Sequence, residues 1–578
     1  MSIGETTTDE LFDDITAPLS IEPEQRPGQE RTDPAQDWRR TAVVYQVYPR
    51  SFADSDGDGV GDLPGITGRL GALADLGVDA VWLSPFYTSP QADAGYDVAD
   101  YRDVDPIFGS LADFDALLER AHGLGLKVIV DLVPNHSSDE HVWFKAALAA
   151  APGSPERARY IFRDGRGENG ELPPNNWESC FRGPAWTRTT NADGTPGQWY
   201  LHLFDTKQPD FDWENPEVRA EFLDVLAFWL DRGVDGFRVD VANALIKAPG
   251  LPDIDVRVDD ELDPDTEGLF GSGPMWDQDR VHEVYQSWRE LLDSYPTDRI
   301  LVAEAWVQPL SRLARYVRAD EMHQAFNFDY LETGWDAAAL RRSIDASMMT
   351  NDSVGAPTTW VLSNHDVVRH VSRLGVDTGG RRPNGIRAGD PQPDYALGLR
   401  RAKASTLLML GLPGSAYLYQ GEELGLPDHT TLDDELRQDP TWWRSEYTEA
   451  GRDGCRIPLP WESDAPSLGF GPGGKTWLPQ PDSYAELARD RQEGVEGSTL
   501  EMYQSALALR RAFKLGAGSL EWGPDRGADV IAFTNGEVTV VTNMGAEPVP
   551  LPTGEVLMAS DQLTRDGLLP ADVTAWLV

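Results

Sequence analysis

Eight short apolar runs, separated by longer stretches with helical patterning, recur along this chain and restrict it to one broad architecture. They are VVYQVYP (43–49), AVWLSP (80–85), KVIVDLVP (127–134), GFRVDVA (236–242), ILVAEAW (300–306), a weaker QAFNFDY (324–330), TTWVLS (358–363) and SAYLYQ (415–420). Continuous Val, Ile and Leu, without polar alternation, marks strands buried on both faces, as in parallel sheets covered by helices. Helical patterns such as SLADFDALLERAHGLG (110–125) and NPEVRAEFLDVLAFWLDRG (215–233) lie between the runs. In the second, Asn215 suits the cap, Pro216 the first turn and Gly233 the C-terminal stop. Eight such units predict an α/β fold, a (β/α)8 TIM barrel. The alternative is an open doubly wound sheet, and no GxGxxG follows the first run to support it.

The rhythm has three interruptions. Residues 1–38 are polar and rich in Pro and Glu, which predicts a disordered acidic arm. Residues 137–208, with GRGENGELPPNNWESCFRGPAW inside, are too long for a simple loop and predict a small domain inserted after strand three. From 516 to 578 the runs VIAFTNG, EVTVVTN and VPLPTGEVLMA predict a C-terminal β-sandwich. The barrel then comprises 39–136 and 209–515.

A net charge of −46 argues against nucleic acid and anionic membranes, whose phosphates need clustered Lys and Arg. It fits a neutral or cationic small molecule. No apolar run reaches the length of a membrane span, and MSIGETTTDELFDDIT lacks the basic-then-apolar order of a secretion signal. A cytoplasmic protein, monomeric or homodimeric, is expected. The two cysteines, Cys180 and Cys455, exclude a disulfide scaffold or a Cys-rich zinc site, and both are expected to be reduced.

In a barrel of this kind, chemistry sits at the C-terminal strand ends. Strand three ends in Asn135-His136, strand four in Arg238-Val-Asp240, strand five in Glu304 and strand seven in Asn364-His365-Asp366. Singly, a strand-end Asp is a helix cap, a His a structural ring and an Arg–Asp pair a mere ion pair. Together they place three carboxylates, two histidines and an arginine on one rim. Two carboxyl groups, one ionised and one protonated, are what glycosidic cleavage requires. Arg238, two residues before Asp240, points to the same side and is expected to hold Asp240 ionised. Val302, Ala303, Ala305 and Trp306 give Glu304 an apolar setting that favours the protonated acid. A metal-dependent hydrolase is the competing chemistry, and no HxH or HExxH occurs on the strands.

The stretch DSDGDGVGDLPG (54–65) begins like an EF-hand loop, but its twelfth position is Gly65 where a bidentate Glu is needed, and VVYQVYPRSF before it reads as strand. What remains is a set of hard oxygen donors: Asp54, Asp56, Asp58 and Asp62 with the Val60 carbonyl. Four carboxylates so close repel one another without a cation, so Ca2+ is expected, with Mg2+ second. A solvated acidic turn is the alternative.

DLVPNH (131–136), GFRVDVA (236–242), EAW (304–306) and SNHD (363–366), supported by QPDFDW (208–213), together resemble the α-amylase family of glycoside hydrolases in its α-glucosidase and oligo-1,6-glucosidase branch. The resemblance runs from about 41 to 578. It implies Asp240 as nucleophile, Glu304 as general acid/base and Asp366 as the third carboxylate, binding the sugar 2- and 3-hydroxyls. It implies His136 and His365 as hydroxyl-binding residues and Arg238 as the arginine beside the nucleophile. DAGYD (93–97) resembles the segment closing the pocket: Asp93 binding terminal glucose hydroxyls, Tyr96 stacking under the ring, and a salt bridge from Asp93 to Arg452 of GRDGCRIPLPW (451–461) blocking further chain. Phe181 and Gln208 are implied as walls of the entrance. The 54–65 loop resembles the metal loop after the first barrel strand of oligo-1,6-glucosidase-like enzymes.

The implied activity is a retaining α-glucosidase releasing glucose from short oligosaccharides, without an organic cofactor and with transglycosylation as a side reaction. Val241 resembles the valine of enzymes favouring α-1,6 bonds, while ANALIK and RDGCRIPLPW look more like actinobacterial α-glucosidases. Sucrose isomerase or trehalose synthase chemistry, a catalytically dead binding relative and a calcium-regulated interaction protein are the rival readings. The dead relative would lack the carboxylates and carry a membrane helix.

Overall fold

The computed structural model describes residues 37–191, 193–254, 273–377 and 383–578. Apart from Asp37 and Trp38, the predicted acidic arm lies outside the described residues. Eight parallel strands form the central sheet: β1 (Val43–Val47), β2 (Ala80–Leu83), β3 (Lys127–Leu132), β4 (Gly236–Val239), β5 (Ile300–Ala303), β6 (Gln324–Ala325), β7 (Thr359–Val361) and β8 (Ser415–Tyr419). The ladder runs β6-β5-β4-β3-β2-β1-β8-β7, an almost closed barrel. Neighbouring strands are in parallel register, with Val44 of β1 between Ala80 of β2 and Tyr417 of β8. Every residue of β1, β2, β4, β5 and β8 is buried, which is why these strands read as unbroken apolar runs.

Strand six is a correction. The expected run 324–330 yields only two strand residues, because the Asn327 side chain accepts the N–H of Tyr330 (3.0 Å) and starts the helix Phe328–Glu332. This local cap outweighs the β propensity of the aromatics around it.

The helix Pro216–Arg232 starts and stops as its sequence predicts. Asn215 accepts from Glu217 N (2.9 Å), Pro216 occupies the first turn, and Gly233 closes it at φ 106°, where a Cβ is disfavoured. Its inner face buries Val218, Phe222, Val225, Leu226, Trp229 and Leu230 against the barrel. Each aliphatic or Phe side chain so buried contributes about 1.5–3 kcal/mol.

Between β3 and β4 the chain forms a three-stranded antiparallel sheet of Phe162–Arg163, Trp186–Thr190 and Pro196–Leu201. Its apolar cluster takes in Trp177, Phe181, Trp186 and Phe204 together with Val241 and Ala244 from the segment after β4. This shared cluster fixes the insert over the C-terminal ends of the barrel strands. At the C-terminus a five-stranded antiparallel sheet docks on the helix Tyr395–Gly411 through Trp576 Nε1 to Leu407 O (3.0 Å) and Thr574 Oγ1 to Ala404 O (2.8 Å). A two-stranded ribbon, Val549–Pro550 with Leu568–Leu569, packs its Leu569 into the cluster of Ala532, Val541 and Val573 on the other face, giving the domain a sandwich form. Among the described residues no helix is long and apolar enough to cross a membrane.

Candidate active site

The carboxyl groups at the ends of β3, β4 and β5 converge on one arginine. Arg238 Nη1 donates to Asp131 Oδ1 (2.8 Å) and to Asp240 Oδ1 (2.7 Å), while Nη2 donates to Glu304 Oε2. All four residues are buried. Asp240 and Glu304 thus hang on the two ends of one guanidinium, Asp240 on Nη1 and Glu304 on Nη2.

The electrostatics differ from the expectation that Arg238 simply keeps Asp240 ionised. Burial pushes the Asp240 carboxyl well up, Arg238 pulls it down, and neighbouring Glu304 and Asp131 push it up again. Burial likewise lifts Asp131 to about 7 against the pull of Arg238. One positive charge cannot balance three buried negative ones, so the cluster retains a proton.

Arg452 organises a second cluster facing the first. Its guanidinium reaches Asp93 (2.7 Å), Asp366 (3.0 Å) and Asp439 (2.5 Å). Arg456 adds a contact to Asp366 (2.9 Å), and His365 Nε2 lies 3.1 Å from its other oxygen. Burial opposes ionisation of Asp366, but the guanidiniums of Arg452 and Arg456 outweigh it and hold the carboxyl well below the usual range. Asn364 braces the turn by accepting the Asp366 N–H (2.8 Å). Asp93 is pushed up by its burial, with Arg452 opposing.

Tyr96 connects the two clusters. Its hydroxyl donates to Asp131 Oδ2 (3.1 Å), and its ring lies parallel to that of His365 at 5.2 Å between centroids. Gln46 donates to His365 Nδ1 (2.7 Å), which puts the ring proton on Nε2, an atom near Asp366 (3.1 Å) but without a hydrogen-bond partner among the described residues. His136 lies within 3.1 Å of the Tyr96 carbonyl and of Gln208 Nε2, which also donates to Asp93 (3.1 Å). Burial keeps both rings neutral, lowering His136 to about 4 and His365 well below its ordinary value. The Arg452 guanidinium covers the Phe181 ring at 5.1 Å, so Phe181 and Gln208 both belong to the wall around Asp93.

Val241 follows Asp240 in the left-handed region (φ 43°), which a β-branched residue rarely adopts. The conformation aims its N–H at Glu304 Oε2 (3.2 Å).

Among the acidic residues at 54–62, oxygens of Asp54, Asp56 and Asp58 come within 4.8 Å of one another. Asp62 does not join this group. Its oxygens accept from Ser55 N (3.0 Å), Ser55 Oγ (2.8 Å) and Gly65 N (2.6 Å), capping the helix Leu63–Leu76.

Three functional neighbours were not singled out by sequence: Asp131, Asp439 and Arg456. A charge inside KVIVDL was the available signal for Asp131, and GRDGCRIPLPW contains Arg456. Asp439 lies in a long segment after β8 with no local pattern to mark it.

The model of the α-amylase catalytic domain matches residues 46–516. A probable α-glucosidase of Rhizobium meliloti is 39% identical over 508 residues, covering 86% of this chain and 87% of that protein. An oligo-1,6-glucosidase of Parageobacillus thermoglucosidasius is 37% identical over 508 residues, covering 82% and 84% respectively. Among solved structures, one described as an α-glucosyl transfer enzyme superposes with a TM-score of 0.81 at 38% identity, covering 94% of this chain and 99% of the other. The chain belongs to the α-amylase family of glycoside hydrolases.

Proposed function

We propose that the protein is a retaining, exo-acting α-glucosidase that releases one glucose at a time from the non-reducing end of short α-glucosides. The observation that carries this reading is the Asp240–Glu304 pair on one guanidinium, joined through Tyr96 to the Arg452 cluster that holds Asp93 and Asp366. Two carboxyl groups bonded to the two ends of one guanidinium suit the short spacing of a retaining pair, about 5 Å, better than the wider spacing of an inverting one.

Asp240 attacks the anomeric carbon as Glu304 gives its proton to the departing glycosidic oxygen. The glycosidic bond breaks and an ester bond forms between Asp240 and the sugar in the β-configuration. Water then attacks the anomeric carbon, Glu304 takes one of its protons, and α-glucose leaves with Asp240 restored. Asp366, kept ionised beside two arginines, stabilises the positively charged transition state and holds sugar hydroxyls. Tyr96 supplies the flat face under the ring, and the neutral His136 and His365 supply ring nitrogens for hydroxyls.

A sugar hydroxyl that reaches the glucosyl ester before water turns hydrolysis into transfer, consistent with the transfer activity named for the structural neighbour. The resemblance of Val241 to the valine of enzymes favouring α-1,6 bonds supports such links among the substrates, and a relative named oligo-1,6-glucosidase supports it further.

The oxygens of Asp54, Asp56 and Asp58, with the Val60 carbonyl, suit a hard cation such as Ca2+, Mg2+ being second. The ion would neutralise the loop's charge and stiffen it where it docks on 470–477. There Asp54 N donates to Phe470 O (2.8 Å) and Trp477 N to Gly59 O (2.9 Å). Gly59 has φ 99°, and a Cβ on it would meet Lys475 at 3.1 Å. The buried thiols Cys180 and Cys455 support a reducing, cytoplasmic setting.

The test is a panel of maltose, isomaltose, sucrose, maltotriose and starch with the products followed by NMR. The expected result is α-glucose formed first from the disaccharides, slow action on starch, and loss of roughly 10⁴-fold or more in Asp240→Asn. β-Glucose as first product, or an active Asp240→Asn, would sink the reading.

A further inference from the structure

An open cavity of ≈590 Å3 borders the Arg452 cluster without including the catalytic carboxylates. Three of its lining residues connect directly to groups that hold the cluster. Ala92 precedes Asp93, Gln438 precedes Asp439, and the N–H of Asp205 donates to Gln208 Oε1 (2.9 Å), whose amide reaches Asp93. The cavity therefore shares walls with the closed end of the catalytic pocket.

Its chemistry selects a ligand class. Trp443 presents a flat apolar surface, 44% exposed, to the cavity. The cations nearby are already matched: Lys207 with Asp139 (2.7 Å), Arg437 with Asp434 (3.1 Å), and Arg444 with Asp205 (3.7 Å). Little positive charge remains to attract an anion, so a phosphate or carboxylate is a poor fit. Two donors on lining residues stay uncommitted, both buried from solvent. Gln91 Oε1 accepts from Arg50 (3.2 Å), yet its Nε2 has no hydrogen-bond partner among the described residues, and neither does Arg444 Nε. A flat apolar wall, balanced charges and polar lining residues such as Thr206 and Gln438 suit an uncharged ring with hydroxyls on its edge.

We propose that this cavity is a second saccharide site, taking one glucose unit or a short glucan stacked on Trp443. The choice of a glucan over another polyol rests on the glucosidase reading; the site itself does not. Because its walls lead to Asp93 and Asp439, a sugar bound there bears on the residues that position Arg452.

The test uses the full chain and methyl 4-thio-α-maltoside, whose sulfur link resists hydrolysis. Calorimetric titration of the wild type should give two classes of site. Trp443→Ala should weaken the second at least about tenfold, and Trp443→Phe, which keeps a flat ring, should weaken it less. With Trp443 half exposed, both variants should fold, and cleavage of 4-nitrophenyl α-glucoside by Trp443→Ala should stay within about twofold of wild type at low sugar. A single class of site in the wild type, or a second site unweakened in Trp443→Ala, would overturn the proposal. A wild type unable to cleave 4-nitrophenyl α-glucoside would count against the glucosidase reading alone, since the number of thiomaltoside sites is measured separately.

Discussion

Arg452 and Asp93 stand 359 residues apart in the chain and meet at 2.7 Å, with Asp366 and Asp439 on the same guanidinium. This pairing ties the segment after β2 to the segment after β8, and in the proposed function it closes the pocket to longer chains. Asp93→Ala removes the carboxylate proposed to bind the terminal glucose and leaves Arg452 with an unpaired edge. Its kcat/KM on 4-nitrophenyl α-glucoside should fall about 10²-fold, chiefly through KM. An unchanged KM would show that Asp93 does not touch the substrate.

Asp131 offers a different test, because it is placed to act through Arg238 and Tyr96 rather than on the sugar. Asp131→Asn keeps the shape and removes one charge from the three-carboxylate cluster. The expected outcome is a kcat reduced about 10²-fold with KM little changed, and an altered pH–rate profile. Near-wild-type kcat with an unaltered profile would reduce Asp131 to a structural role.

A stability prediction comes from Glu422, buried behind β8 with its oxygens near Tyr419 N (2.9 Å) and Tyr503 OH (3.4 Å). Burial pushes this carboxyl up to about 8. Between the unfolded value near 4.5 and the folded value near 8, the unfolded chain releases a proton that the folded chain retains. Stability from this group is thus full below pH 4.5 and is lost as pH rises toward 8. Glu422→Gln should gain on the wild type over that range, by on the order of 4 kcal/mol, seen as a growing Tm difference in scans from pH 5 to 8. A pH-independent difference would contradict it.

Metal removal should separate stability from chemistry. EDTA is expected to lower Tm by about 2–5 °C, with Ca2+ restoring it and the rate at 25 °C little affected. Asp54→Ala should abolish the response. No bound metal by elemental analysis, together with an unmoved Tm, would leave the loop a solvated acidic turn.

Much of the barrel is legible because parallel strands buried on both faces leave unbroken apolar runs, and because each catalytic-rim residue ends such a run. What the chain does not display is register between strands. Asp131 and Arg238 are cross-strand partners on β3 and β4, a pairing set by the sheet rather than by either motif. That is why Arg238 reads in sequence as the companion of Asp240 alone, although it serves three carboxylates. Asp439 is hidden for a related reason: its role comes from a fold that returns the segment after β8 to the rim. At 62, capping chemistry and metal chemistry use the same residue type, and the sequence does not display that Asp62 caps the helix starting at Leu63.

The identity of the nucleophile decides more than any other assignment. Turnover of a 5-fluoro-α-glucosyl fluoride, quenched and digested, should yield by mass spectrometry one peptide bearing a fluoroglucosyl ester on Asp240. A label on another carboxylate, or no label while α-glucosides are hydrolysed with inversion, would contradict the double-displacement mechanism at Asp240.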